Sequence, residues 1–416
     1  MHGLAQSGRF RGGCRDLKRL DNIYDSIPLE LRLVLAGASR DTAKIEYLLQ
    51  RPLNWVLFLR LAEYHRVYPL VYKTLGQLYS GDIPGNVIEY LHQKHRENTL
   101  HALNMAGETI RLVNVLEGNG VPVVVLKGTP LASHLYGDVA SRPSNDIDIL
   151  VSLDNLDFAC RTLESEGYQK AYPELDLTPR QLEIYTRTFI HHIVFWHSKR
   201  NTLVEIHWHL GDGRQILLPF PVGSKIQRIQ VAGSLIPVLA DEDWLLYLIF
   251  HGASHAWIHL RWLVDIDKFM QRGINWDNIY VSAQSTGMLS LLAQSQILVE
   301  RLVAVPFKTD NSHLNAVGNL RAWKLSCLAT YLCLLLSGCE VGERNSKRDS
   351  LVKYIYEFQI LVGLRNRLNY VLRLLSPSIS DIKLVSWPDN LYYLYYITRP
   401  FTLLYRNIWG TCKRTK

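Results

Sequence analysis

Residues 123–151 read VVVLKGTPLASHLYGDVASRPSNDIDILV. Val123, Val124, Val125 and Leu126 form a short apolar run that meets Lys127-Gly128-Thr129, the pattern of a buried strand closed by a glycine turn. About one helix and loop later, a second run opens with Asp146-Ile147-Asp148. Strand periodicity places Asp146, Asp148 and Leu150 on one face, and Ile147, Ile149 and Val151 on the other. Two carboxylates then point the same way from one rigid strand. Like charges so close resist joint desolvation, and the simplest counter-cation is a hard metal ion with oxygen ligands.

A glycine turn with a hydroxyl, beside a strand of two aspartates, suits the handling of a nucleoside triphosphate. Gly128 lets the backbone approach phosphate oxygens, its N–H and the Thr129 hydroxyl can donate to them, and Mg²⁺ on Asp146 and Asp148 can bridge the same phosphates. Lys127 can neutralise phosphate charge, and Arg142 can pair with phosphate or with Asp146.

These residues resemble the DNA polymerase beta-like nucleotidyltransferase superfamily, whose motif is an apolar residue, Gly, then Gly or Ser, followed by an Asp-x-Asp strand. More closely, LKGTPLASHLYGD…RPSNDIDILV is similar to the family of uncharacterised nucleotidyltransferases, in which an LKG turn precedes an R-x-x-x-DIDLLV-like strand. Two features depart from the superfamily pattern. Thr129 stands where Ser is frequent, and the interval from Thr129 to Asp146 is longer than in compact members. The resemblance runs from about Leu29 onward and includes the segment EDWLLYLIFHGASHAWIHLRWLVD at 242–265 and the Arg399-Pro400 near the end.

The resemblance implies a third acidic residue on a later strand. Thr202–Leu210, TLVEIHWHL, alternates so that Val204, Ile206 and Trp208 share one face and Glu205, His207 and His209 the other. Glu205 fits the third position by its order and strand context, completing a catalytic and metal set of Asp146, Asp148 and Glu205. Lys127, Gly128, Thr129 and Arg142 are then the nucleotide-binding residues. Asp241-Glu242-Asp243 starts a helix running to about Met270, with a break near Trp257. That helix is expected to close one side of the nucleotide cleft, with His207, His251 or His255 touching the acceptor.

Rival readings stay open. Glu205 with His207 and His209 is a donor set that could bind Zn²⁺ for a metallohydrolase. His251, His255 and His259 recur at i, i+4, i+8, followed by Asp265 and Asp267, but Gly252 occupies the place where the zincin motif needs Glu. A non-catalytic nucleotide-binding protein would keep the same fold. His92, His95 and His101 read as surface residues.

At 416 residues, with 48% hydrophobic and 20% charged content, the chain has room for two or three packed units of an ordinary globular kind. No uninterrupted apolar stretch is long enough to span a bilayer; Leu325–Leu336, the nearest, carries Ser326 and Thr330 and reads as a buried helix. The six cysteines follow no CxxC spacing and are expected as free thiols in a reducing cytoplasm. The basic, Gly-rich start lacks the apolar core of a secretory signal. Of the net charge of +8, all resides formally in Val341–Lys416, with thirteen Lys or Arg against five Asp or Glu. That part places five tyrosines between Asn390 and Trp409, expected to pack on neighbouring helices, with peripheral contact to an anionic membrane as the alternative.

The expected fold is α+β: a small mixed β-sheet nucleotidyltransferase core at 119–240, a disordered lead-in at 1–20, a helical region at 21–118 and another at 241–416. The expected activity is Mg²⁺-dependent transfer (Mn²⁺ being a substitute) of a nucleoside monophosphate from an NTP to an acceptor, with pyrophosphate released. The acceptor is a small molecule, sugar, peptide or protein, without a nucleic-acid template. Family members lie beside biosynthetic genes for peptides and polysaccharides, which implies tailoring chemistry.

Overall fold

Asp146–Leu150, buried on both faces after its first residue, and Thr202–His207, whose burial alternates as far as Ile206, are strands that lie side by side within a five-stranded sheet. The structure is a computed structural model and describes residues 26–79, 81–173, 178, 180–181, 192–210, 226–303, 319–336, 346–361, 363–374, 376–377, 379–385 and 387–409. The expected lead-in at 1–20 lies outside the described residues. The sheet contains β1 (Val124–Val125), β2 (Asp146–Leu150), β3 (Gln169–Tyr172), β4 (His192–His197) and β5 (Thr202–His207) in the order β1-β2-β5-β4-β3. β2 and β5 are parallel and the other pairs antiparallel, so the sheet is mixed, and helices flank it in an α+β arrangement.

The chain divides into two units. The first takes residues up to Arg96, Leu248–Gly273 and Leu289–Ile360; the second takes Glu97–Tyr247, Ile274–Met288 and the chain from Leu361 on. The second unit holds the sheet. Ile147, Ile149, Val204, Ile206, Ile193 and Phe195 are buried, so the apolar faces of β2, β5 and β4 form its core. A second, two-stranded sheet joins β6 (Ile226–Val231) to β7 (Ser234–Leu239). Its two-residue turn, Ala232-Gly233, has φ of 45° and 88°, the doubly positive conformation that suits the twist of a tight hairpin. The sequence reading singled out none of β3, β4, β6 and β7.

In the first unit, the expected buried helix is observed at Asn319–Leu336, with Leu325, Ala329 and Leu332 in the core. The Ser326 and Thr330 hydroxyls donate to carbonyls four residues back, at 2.8 Å each, which lets polar residues sit inside. Among the described residues no helix is long and apolar enough to cross a membrane. The described cysteines Cys160, Cys327 and Cys333 are free thiols.

The segment from Asp241 breaks as expected, into helices Asp241–Ser254 and Arg261–Met270. Ala256 and Trp257, at φ 52° and 55°, turn the chain between them. The turn lays the Trp257 indole on Gly252, where an added Cβ would stand 2.3 Å from the ring. The glycine that departs from the zincin pattern is thus explained by packing. Gly252→Ala should cost about 1–3 kcal/mol or more through overpacking, seen as a lower denaturant midpoint; an unchanged midpoint would show that the indole moves aside freely.

In the last described helix, Leu394–Trp409, the expected packing of tyrosines on neighbouring helices holds for some residues and not for others. Tyr395 and Thr402 are buried, and Thr402 donates to Asp381 at 2.6 Å, while Tyr396, Phe401 and Tyr405 are exposed.

Candidate active site

Backbone pairing decides which side chains meet. The parallel register sets Asp148 opposite Glu205, with Asp146 opposite Leu203 and Leu150 opposite His207. Directly opposed residues share a face, so Asp146, Asp148, Glu205 and His207 project from one side of the sheet. Asp148 is fully buried, Glu205 is partly buried and His207 is buried.

Lys127 joins them from the end of the first apolar run. Leu126 is held twice: its N–H donates to the Asp148 carbonyl at 3.0 Å, and its own carbonyl accepts from Trp244 Nε1 at 2.6 Å. The following side chain is thereby turned onto the carboxylates, with Lys127 Nζ 3.1 Å from Asp148 Oδ1 and 3.8 Å from Asp146 Oδ2. Burial works against the ammonium, but Asp148 and Asp146 more than offset it and raise its pKa above the ordinary value.

The expected glycine turn lies against the start of β2. Gly128 has φ 82° and ψ −140°, a conformation open to glycine. Its Cα side faces Ser144 and Asp146: a Cβ there would stand 3.5 Å from Ser144 Oγ and 3.7 Å from the Asp146 carbonyl. Gly128 is the N-cap of the helix Thr129–Tyr136, so the positive end of that helix dipole lies at the turn. The Thr129 hydroxyl is buried with no hydrogen-bond partner among the described residues. Arg142 is buried in the loop that leads to β2. Asn98 Nδ2 donates to the Ala140 carbonyl at 2.6 Å, and His101 Nε2 lies 2.9 Å from the Ser144 carbonyl. His101 is therefore half-buried against the loop that leads to Asp146, where sequence alone suggested a surface residue.

His207 Nε2 stands 3.2 Å from Asp148 Oδ1 and 3.3 Å from Glu205 Oε2. Burial would lower its pKa, but hydrogen bonding to the two carboxylates prevails and raises it. Burial would likewise raise Glu205, yet the His207 hydrogen bond and the charges of His207, His192 and Lys127 hold it down at about 2. A raised histidine contributes stability that is present in full below its unfolded pKa and is lost as pH rises through the folded one. Stability to urea should therefore fall as pH rises above about 6.5, more in the wild type than in His207→Gln; parallel profiles would contradict this.

His192, on β4, is a site residue that sequence reading missed. Its backbone pairs with His207, and the two rings lie 5.2 Å apart. Burial first, and then His207, keeps its pKa at about 4. The alternation of buried Ile193 and Phe195 in HIVFWH was the available signal. His209 does not join the group: β5 ends at His207, whose carbonyl accepts from Val151 N at 2.9 Å, so the alternation expected through Leu210 stops there. His251 and His255 belong to the first unit, where their rings are 4.7 Å apart and both contact Trp262. His259 approaches the Tyr64 carbonyl at 2.8 Å. Among the described residues the group of three with metal-ligating atoms brought together, within 4.8 Å of one another, is Asp148, Glu205 and His207.

A family described as uncharacterised nucleotidyltransferase matches residues 51–304, more than half of the chain and the whole of the sheet. The chain belongs to that family. Its nucleotidyltransferase match takes in Lys127, Gly128, Thr129, Arg142, Asp146, Asp148 and Glu205, together with His192 and His207. No curated protein matches the chain. Among solved structures, it is similar to the antibiotic-resistance factor ANT(2'')-Ia, studied in solution, at 12% identity and a TM-score of 0.31, covering 44% of this chain and 90% of that one. A likeness at that level bears on neither fold nor activity here.

Proposed function

We propose that this nucleotidyltransferase moves a nucleoside monophosphate from an NTP to an acceptor hydroxyl or phosphate, with the second unit's sheet as its catalytic centre. The observation that carries this is the convergence of Asp146, Asp148 and Glu205 on one sheet face, with the Gly128–Thr129 turn packed against the start of the same strand. The donor set fits a divalent ion: Asp148 Oδ2 is buried without a hydrogen-bond partner among the described residues, so one carboxylate oxygen is left to be satisfied. Such an ion, when bound, would offset charge on the triphosphate and on the pyrophosphate leaving group.

The remaining work belongs to the chain. The Gly128 turn and the helix dipole behind it receive phosphate oxygens, and the Thr129 hydroxyl donates to one of them. Lys127 holds the aspartates in the absence of substrate and can turn its charge to the phosphates when they arrive. Glu205, opposite Asp148 on the same sheet face, is placed to orient the attacking hydroxyl. The acceptor class stays open between a small molecule, a sugar, a peptide and a protein; tailoring of a peptide or polysaccharide product is the use that fits the family.

Calorimetry with a non-hydrolysable NTP analogue tests the reading. Binding should require Mg²⁺ or Mn²⁺ and vanish in Asp146→Asn/Asp148→Asn; binding indifferent to both would refute it. Thr129→Ala should weaken the same binding by about tenfold, one hydrogen bond to a charged group being worth about 1.5 kcal/mol; unchanged affinity would remove Thr129 from the phosphate site.

A further inference from the structure

His207, read from sequence as an acceptor contact, is turned inward between Asp148 and Glu205. Its Nε2 lies 3.2 Å from Asp148 Oδ1 and 3.3 Å from Glu205 Oε2, and the three ligand atoms fall within 4.8 Å of one another. Ligand arms of about 2.1 Å meeting at octahedral or tetrahedral angles separate neighbouring donors by roughly 3.0–3.4 Å. Both distances from the imidazole fall in that range, so an ion can take the place of the hydrogen-bonded proton between the imidazole and either carboxylate, with the Asp148 and Glu205 donor atoms within 4.8 Å of each other.

Charge points the same way. Asp146, Asp148 and Glu205 bring three negative charges to the face, and Lys127 returns one positive charge at 3.1 Å from Asp148. Three minus one leaves two, which one dication balances with a neutral imidazole as its nitrogen ligand. The burial of Asp148 Oδ2 without a partner among the described residues is a separate sign that the carboxylate is set for another contact.

We infer that Asp148, Glu205 and His207 form a mixed oxygen and nitrogen site, with His207 Nε2 as a direct ligand, that takes Mn²⁺ or a similar first-row dication in preference to Mg²⁺. The inference rests on the nucleotidyltransferase reading and sharpens it. Mg²⁺ favours oxygen donors and retains its waters, whereas imidazole suits transition ions. His192, tilted 35° to the His207 ring at 5.2 Å, lines the imidazole and helps to fix its plane.

The test uses the full chain with Mn²⁺ as the probe. Pulsed electron paramagnetic resonance should show nitrogen modulation from a bound imidazole, with frequencies that change when the histidines carry ¹⁵N. The modulation should vanish in His207→Gln and persist in His192→Gln, and Mn²⁺ affinity should fall at least about tenfold in the former. Mn²⁺ bound without imidazole modulation, measurable on the wild type alone, would overturn the inference and leave the carboxylate reading in place; modulation that survives in His207→Gln would overturn it as well. If Mn²⁺ does not bind even with the NTP analogue present, the nucleotidyltransferase reading fails along with it.

Discussion

Asp148→Asn should lower turnover about a hundredfold to a thousandfold while leaving the fold in place. Asp148 is contacted by both Lys127 and His207, and it lies at the centre of the parallel pair β2–β5. The amide keeps its volume and can still hydrogen-bond to His207, and Asp146, 3.8 Å from Lys127 Nζ, still offsets the buried ammonium, so the cost in stability is smaller than that of losing the lysine. On the proposed mechanism, what is lost is a charged group at the point where negative charge must be offset during transfer, an effect that for a single well-placed group reaches about two to three orders of magnitude. Pyrophosphate release gives the rate, and a thermal melt checks the fold. Turnover close to wild type in a folded Asp148→Asn protein would remove the catalytic assignment.

The largest effect on stability is expected from Lys127→Met. Its ammonium is nearly inaccessible and sits 3.1 Å from the fully buried Asp148. Removing one member of a buried pair leaves the other's charge uncompensated, which costs about 3–5 kcal/mol. The volume of the side chain is retained, so little of this cost arises from a cavity. Because a divalent ion can take over the neutralisation, adding Mn²⁺ should recover part of the loss in the variant and stabilise the wild type less, since there the ammonium already holds the carboxylates. Chemical denaturation with and without Mn²⁺ measures both effects. Equal stability of variant and wild type in the absence of the ion would show that the buried charge is compensated by other groups.

Much of the site was legible because strand periodicity is local. The spacing of Asp146 and Asp148 fixes their common face, and the alternation through Glu205 and His207 fixes another. The mixed sheet and its flanking helices followed from the same pattern and from the family likeness. Pairing was not legible. That Asp148 lies opposite Glu205 depends on register between strands 57 residues apart, which no single segment encodes. Lys127 is visible next to Gly128, yet its inward turn onto Asp148 depends on Trp244 holding the Leu126 carbonyl, a contact across 118 residues. His192 was lost among three histidines in a short run, because its meaning comes from pairing with His207. His209 failed for a local reason: the strand ends two residues earlier, and alternation carries no information past a strand's end. The break at Trp257 was anticipated, but the role of Gly252 beneath its indole became evident only in the folded chain.

The most direct measurement is the transfer itself. The wild type and Asp146→Ala/Asp148→Ala should each be incubated with α-phosphate-labelled NTPs, Mg²⁺ or Mn²⁺, and an extract of acceptors. Label appearing on an acceptor with the wild type alone, accompanied by pyrophosphate, is the predicted result. Label moved equally by the double variant, or no transfer together with no metal-dependent nucleotide binding, would contradict the account.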